Sequence, residues 1–544
     1  MGRRFLVFGL YGLLVLGVVA GGAAAPPITA GWGSALEVPG SGTLNSGGIA
    51  NVRAISCAAV GECAAGGRYT DGSGDTQAFV VGETNGHWGT AIEVPGTAAL
   101  NSGGNAWVNS VSCGAAGDCA TAGYYIDGSG NSQAFVASET SGSWGTAIEV
   151  PGTATLNSTG DARANSVSCG AAGDCAAGGY YRDGSGHYQV FVVDETNGSW
   201  SDAVEVPGTA TLNSGGDATL NAVSCAAAEN CTAGGFYIDG SAHVQAFVVN
   251  ETSGSWSDAI AVPGAETLNS GHSAAVRSVS CAAVGDCAAG GYYTDGTGHA
   301  QAFVVGETNG GWGNAVEVPG TATLNSGGEA WVNSVSCSTA GNCAAGGYYT
   351  DGSSSVQAFV VKETHGSWGT AIEVPGTATL NSGGNAEVSS VSCGAAGDCT
   401  AGGYYTDSSV HVQAFVTSET KGSWLTAIEV PGTATLNIGG NAVVNAVSCA
   451  AAGHCSAGGI YGDGSAHFQA FVVSSTSPCV VPKLVGKTLT AAKKTLSAAS
   501  CGVGKIRKVY ANVKKGRVVA QHPKSGTYLK HGAKVALTLS KGRR

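Results

Sequence analysis

Eight tryptophans, Trp32, Trp88, Trp144, Trp200, Trp256, Trp312, Trp368 and Trp424, follow one another at a constant spacing of 56 residues. Sixteen cysteines keep the same beat in C-x5-C pairs: Cys57/Cys63, Cys113/Cys119, Cys169/Cys175, Cys225/Cys231, Cys281/Cys287, Cys337/Cys343, Cys393/Cys399 and Cys449/Cys455. Two residue types locked to one period leave only repeat architectures open. Each unit must be a supersecondary element that buries its apolar face against the next copy.

The third copy shows what that element is. Four short runs, ANSVSC (164–169), CAAGGYY (175–181), YQVFVVDET (188–196) and SWSDAVEVP (199–207), are rich in β-branched and aromatic residues and bounded by Gly, Asn and Asp. Five residues, GAAGD, join the first two, a DG loop the next two, and an NG turn the last two. With 89 Gly and 11% charged residues, the chain is too Gly-rich for a helical array and too apolar for disorder. Four antiparallel strands repeated radially make a β-propeller, and the PGTATLNSGGNA-type segment accounts for the long period.

A stacked solenoid is the rival, but solenoids need atypical end units and these copies stay nearly uniform. The chain ends favour a ring. GWGSALEVPG (31–40) is a fourth strand with no unit before it, while the last unit stops after FQAFVVSST (468–476) without one. In a ring these ends are neighbours, so Trp32–Pro39 completes the blade begun at Asn445. The expected fold is therefore all-β: an eight-bladed β-propeller over residues 31–477, closed by its N-terminal strand.

Residues 1–25 read as an export signal, with Arg3 and Arg4 before an apolar run from Phe5 to Ala20 and a GGAAA end. A retained signal anchor is the competing reading, and both put the remainder outside the cell, secreted or at the surface. In an exported chain the paired cysteines read as disulfides flanking the first turn of each unit. Zinc is excluded because no His or further Cys recurs at ligand spacing. Cys479 and Cys501 are left to pair with each other. Residues 478–544 hold 16 Lys and Arg and no acidic residue, which leaves 9 basic against 37 acidic residues in the rest. That asymmetry predicts a second domain with its own partner.

The tail reads VVPKLVGKTLTAAKKTL at 480–496 and VVAQHPKSGTYLKHGAKVALTLSKG at 518–542. TLTAAKKTLSAA has helical spacing and VALTLSKG alternates like a strand, which predicts a small α+β unit. The VP-x-L-x-G opening, Ala492 and Leu496, the turn with Gln521, Pro523 and Gly526, and the closing S-K-G resemble a PASTA domain of bacterial penicillin-binding proteins and Ser/Thr kinases. The resemblance implies a cell-envelope protein whose residues 478–544 contact peptidoglycan; the clustered positive charge suits an anionic wall polymer. The segment GGYYTDGTGHAQAF (290–303) resembles HAF-type extracellular repeats, which adds no activity.

Catalytic signatures are missing: no G-x-S-x-G elbow, H-E-x-x-H, P-loop or kinase motif occurs. The repeated Asp71, Asp127, Asp183, Asp239, Asp295, Asp351, Asp407 and Asp463 read as turn residues rather than calcium ligands or acid/base groups. Glu37, Glu93, Glu149, Glu205, Glu317, Glu373 and Glu429, with Ala261 breaking the series, read as a solvated strand face. Function on a symmetric scaffold should appear where symmetry breaks. One variable set is Asn51, Trp107, Arg163, Thr219, Ala275, Trp331, Glu387 and Val443; the other is Asp75, Asn131, His187, His243, His299, Ser355, His411 and His467. Both are expected on one face around the channel mouth. The candidate ligand-binding residues are thus Trp107, Trp331, Arg163, His187, His243, His299, His411 and His467, with no catalytic residue, metal or cofactor.

The expected function is a monomeric, exported envelope-associated binding or adhesion protein. Its propeller face takes a carbohydrate or protein ligand, and its basic tail takes the wall; nucleic acid is not a partner. The alternatives are a propeller-fold polysaccharide-active enzyme, glycosidase or lyase, and a purely structural surface protein.

Overall fold

The computed structural model of the chain describes residues 31–476, 479–529 and 532–544. The expected export signal lies outside them. In unit 4 the first three strands are Ala218–Ala227, Asn230–Ile238 and Val244–Thr252, paired antiparallel in sequence order. All eight units repeat this sheet. The first turn is tighter than the five-residue connection expected, because pairing runs past the cysteines to Ala227 and Asn230.

The fourth strand departs from expectation. It is split into Ser255–Trp256 and Ile260–Ala261, both on the third strand. Between them the Ala259 amide donates to the Pro207 carbonyl of the preceding unit at 2.8 Å instead of to its own sheet. The equivalent bond recurs in the other units, including Ala35 to Pro431 at 2.7 Å. The long segment that follows holds one helical turn, Ala265–Leu268, begun at Gly264 with φ 77°.

The apolar core lies between sheets. Phe247 is fully buried in a cluster that takes Ala176, Val190, Val192 and Val206 from unit 3 and Leu220, Val223 and Val249 from unit 4. One such Phe, from Phe79 to Phe471, fills the same place in every unit.

The glycine at the Gly235 position of every second strand has a geometric cause; the residue before it is Gly in seven units and Ala122 in unit 2. Each first strand carries a bulge, as between Leu220 and Ala222, which drives a carbonyl at the second strand. A Cβ on Gly235 would stand 1.9 Å from the Thr219 oxygen. Gly235→Ala should therefore cost about 3 kcal/mol in chemical denaturation, whereas Gly82→Ala, with nothing within 4 Å of its Cβ, should be near neutral.

First strands of consecutive units touch in a series that returns from the eighth to the first. The first and last units also share the bonds that tie the others together. Asn445 Nδ2 donates to the Val52 carbonyl at 2.8 Å, as Asn221 does to Val276. Gly31 and Trp32 pair with Thr476 and Ser475, and Leu36 pairs with Val472, so the N-terminal segment is the outer strand of the eighth sheet.

Each C-x5-C pair is a disulfide: Cys57–Cys63, Cys113–Cys119, Cys169–Cys175, Cys225–Cys231, Cys281–Cys287, Cys337–Cys343, Cys393–Cys399 and Cys449–Cys455. The two sulfurs of a pair sit in unlike places. The first cysteine is half-buried, but Cys63, Cys119, Cys175, Cys231, Cys287, Cys343, Cys399 and Cys455 are buried, at 4–6% exposure. The cause is their strand, which runs inside the sheet between the first and third strands and faces the neighbouring unit. Cys119, Cys175, Cys231 and Cys399 accordingly belong to the apolar clusters between sheets, as do Cys343 and Cys455. Each of those six bonds thus fixes a core position as well as a turn. In the tail, Cys479 bonds Cys501.

The tail is α+β. Helix Leu489–Ala498 starts at Thr488, whose side chain accepts from the Ala491 amide. Strand Lys534–Ser540 runs parallel to Gly502–Val509 and antiparallel to Val518–His522. Leu484, Ala492, Leu496, Val535 and Leu537 fill its core. Among the described residues no helix is long and apolar enough to cross a membrane.

A candidate binding site where the first strands begin

The repeated polar residues form the frame. In unit 4 the Asp239 side chain accepts from the Ser241 and His243 amides at 2.8 and 3.0 Å and from Gln245 Nε2 at 3.0 Å. Gln245 in turn accepts from Asn269 Nδ2 of the next unit at 3.1 Å. The same relay runs from Asp463 through Gln469 to Asn45, across the chain ends. Burial alone would raise these aspartates, but the Gln and amide donors outweigh it and hold Asp71, Asp127 and Asp239 below the usual carboxyl range. Their turn role is structural.

The Glu series read as a solvated strand face is instead tied down. Glu93 accepts from Tyr69 Oη and Thr97 Oγ1, both at 3.2 Å, and Glu37 accepts from Tyr461 at 3.0 Å across the chain ends. The sequence reading missed this because the partner tyrosine lies one strand pair away.

The first variable set sits opposite a second-strand residue in each sheet: Trp107 faces Tyr124, Arg163 faces Tyr180, Trp331 faces Tyr348, and Glu387 faces Tyr404. Each also reaches the unit before it, and two ladders result. In units 1 to 3, the Arg68 guanidinium lies 3.6 Å and that of Arg53 5.5 Å from the Trp107 ring centre. Trp107 stacks on Tyr124 at 6.0 Å, and Arg163 lies over Tyr124 at 4.2 Å. Arg163 Nε is 3.7 Å from Asp161, which accepts from Tyr188 Oη at 3.0 Å. Burial lowers the pKa of both Arg53 and Arg68, and the charge of Arg53 lowers that of Arg68 further.

The second ladder spans units 5 to 7. Trp331 stacks on Tyr292 at 4.2 Å, with Arg277 at 4.9 Å and Tyr348 at 6.0 Å. Glu387 accepts from Asn333 Nδ2 at 2.7 Å and Tyr404 Oη at 3.0 Å, and Glu329 accepts from Tyr348 Oη at 3.0 Å. Burial raises the Glu387 carboxyl against the opposing pull of Tyr404, Arg277 and Asn333. Unit 4, with Thr219 opposite Phe236, and unit 8, with Val443 opposite Ile460, separate the ladders. Trp107 and Trp331 are therefore packed into ladders and not bare platforms.

The histidines go elsewhere. A Cβ on Gly48, Gly216, Gly328 or Gly440 would fall 2.6–2.7 Å from Cδ2 of His467, His187, His299 or His411, so each ring covers the next unit's loop. His243 stacks on His272 at 3.7 Å. His187, His243 and His467 each place Nδ1 3.8–3.9 Å from the Asp of their own turn. Arg163 joins the Trp107 ladder; no ring contact or hydrogen bond among the described residues brings these five histidines to it.

The opposite face holds a feature the sequence reading missed. The Glu of QAFVV-x-ET is buried between units, at 2–9% exposure for Glu83, Glu139, Glu195, Glu251, Glu307, Glu363 and Glu419. It meets the variable residue x of the preceding unit: Ser138 donates to Glu195 at 2.5 Å, Asn250 to Glu307, and Ser474 to Glu83 at 2.9 Å. Where x is Asp194, the Trp256 indole donates to Asp194, and both oxygens of Glu251 are buried with no partner among the described residues. Burial, then the charges of Asp194 and Glu229, push Glu251 up to about 8. The periodic ET dipeptide was the available signal.

Residues 480–541 match the PASTA domain family. No curated protein sequence matches the chain. Similar solved structures include the BP39L lectin from Burkholderia pseudomallei, at 14% identity and a TM-score of 0.38, covering 70% of this chain and 99% of that one. Another is the β-propeller domain of the trilobed protease from Pyrococcus furiosus, at 8% identity and a TM-score of 0.38, covering 69% and 97%. A third is a polysaccharide lyase of the ulvan lyase type, at 9% identity and a TM-score of 0.34, covering 82% and 94%.

Proposed function

We propose that this is an exported cell-envelope binding protein, in which residues 31–477 form the ligand-binding propeller and residues 478–544 the wall contact. The carrying observation is where symmetry breaks. Frame residues repeat unit by unit, while the positions of Trp107, Arg163, Trp331 and Glu387 diverge into aromatic and charged ladders. Rings edged by donors and acceptors suit sugars or peptides, which offer an apolar face and a polar rim. The nine disulfides fit an oxidising location.

In the tail, Lys505, Arg507, Lys508, Lys514 and Lys515 are exposed on and beside one strand. The PASTA resemblance supports peptidoglycan as the surface they meet, and the charge supports anionic wall polymers. The full chain should co-sediment with purified wall at low salt and be released as salt rises. Replacing Lys505, Arg507 and Lys508 by Glu should cut the bound fraction at least about fivefold, since like charge then faces the polymer. Unchanged sedimentation would make the tail a spacer.

A glycan and muropeptide array probed with the full chain tests the propeller. Binding that is lost in Trp331→Ala supports the reading; a blank array sinks it. One observation favours the polysaccharide-active alternative: Glu387, raised by burial, stands beside Tyr404 and Trp331's ladder. Turnover of array-positive glycans, abolished by Glu387→Gln, would move the protein to that class.

A further inference from the structure

The two ladders are electrically unlike: the first sets Arg53, Arg68 and Arg163 against the single carboxylate of Asp161, whereas the second sets Arg277 among Glu329 and Glu387. Among the described residues, neither Arg53 nor Arg68 has a carboxylate within 4 Å, and neither side chain donates a hydrogen bond; Asp161 lies beside Arg163 and Tyr188. Arg68 Nε and Arg163 Nε are buried without an acceptor. The guanidinium carbons of Arg68 and Arg163 stand 3.6 and 4.2 Å over the centres of the Trp107 and Tyr124 rings, and a planar guanidinium carries its N–H donors along its edges. Three cations on two stacked rings repel one another, and the rings and sheet edges hold them together. Fixed, unneutralised guanidinium edges are the arrangement that takes a carboxylate or sulfate in bidentate fashion.

We propose that Arg53, Arg68 and Arg163, ordered by Trp107 and Tyr124, form an anion-binding subsite for an acidic sugar unit of the propeller's glycan ligand. This rests on the binding reading above and names its ligand class. The anionic group takes the edges of Arg53 and Arg68, and the ring of the sugar extends past Trp107. The second ladder, with Glu329 and Glu387, repels like charge and takes a neutral neighbour of the same chain through hydroxyl hydrogen bonds.

The test is titration calorimetry on the full chain with oligogalacturonate, its methyl ester, a sulfated galactan oligomer and its desulfated form. Methyl esterification and desulfation remove charge and keep the sugar. An acidic oligomer should bind at least tenfold tighter than its neutral form, and the preference should shrink with salt. The carboxylate and sulfate arms decide which anion is taken. Arg53→Gln should abolish the preference, and Arg68→Lys, which keeps charge but loses the planar fork, should reduce it. Thermal unfolding of each variant confirms an intact fold. Equal binding of acidic and neutral oligomers, or a preference that survives Arg53→Gln, overturns the inference and leaves the binding function standing. No binding to any oligomer here, or to any glycan or muropeptide on the array, overturns both.

Discussion

Raising the pH from about 5 to about 8 should lower the thermal midpoint of this protein, and Glu251→Gln should remove much of the fall. Burial holds Glu83, Glu139, Glu195, Glu307, Glu363 and Glu419 above the usual carboxyl range, and takes Glu251, beside Asp194 and Glu229, up to about 8. Across that window the folded protein binds more protons than the unfolded chain, so stability is full below the unfolded carboxyl value near 4.3 and drains away as pH climbs. A tenfold displacement of a protonation equilibrium is worth about 1.4 kcal/mol, which makes the Glu251 contribution on the order of a few kcal/mol. The Asp71 series has the opposite sign. Its carboxyls are held low, so their contribution is present above the ordinary carboxyl range and is lost on acidification. The stability maximum should therefore fall near pH 5, read by calorimetry in matched buffers. A midpoint that stays flat or rises from pH 5 to pH 8 contradicts the buried-carboxylate account.

The second large effect concerns the chain ends. Removing residues 31–40 should strip amide protection from Val447–Val473 by at least about a hundredfold, with Val279–Val305 in unit 5 much less affected. The deletion bares the edge of the third strand, Phe468–Thr476, where Gly31, Trp32 and Leu36 pair. It also takes Trp32 and Ala35 out of the cluster with Val447 and Phe471, and Glu37 from Tyr461. Hydrogen exchange followed by mass spectrometry resolves the two units. Equal loss in both would mean that the eight units unfold as one body.

Much of this was legible because repetition amplifies weak signals. A single Trp or C-x5-C pair says little; eight in phase revealed the strands, their turns, and a first segment that supplies the fourth strand the last unit lacks. The split of that strand was not legible, since its cause is an amide bonded to a proline carbonyl in another unit. The cysteine pairing was legible from spacing, but the burial of Cys119, Cys175, Cys231 and Cys399 was not, because the neighbouring sheet covers them. At the candidate site the variable positions were found by alignment of copies, and Trp107, Arg163 and Trp331 do enter ladders. Arg53, Arg68, Tyr124 and Tyr404 were overlooked because each acts across a strand or from a neighbouring unit.

The sequence by itself determined the unit, its copy number and the way its two ends complete one sheet. These follow from period, turn residues and strand count, all local to a copy. Tertiary structure alone decided which charges meet. It set Arg68 on Trp107, Glu251 against Asp194, and the histidines over the next unit's loops. Such contacts depend on how far each blade is rotated and stacked on the last, and that pitch is fixed by the packing of Phe247 and its equivalents between sheets, a quantity no single repeat encodes.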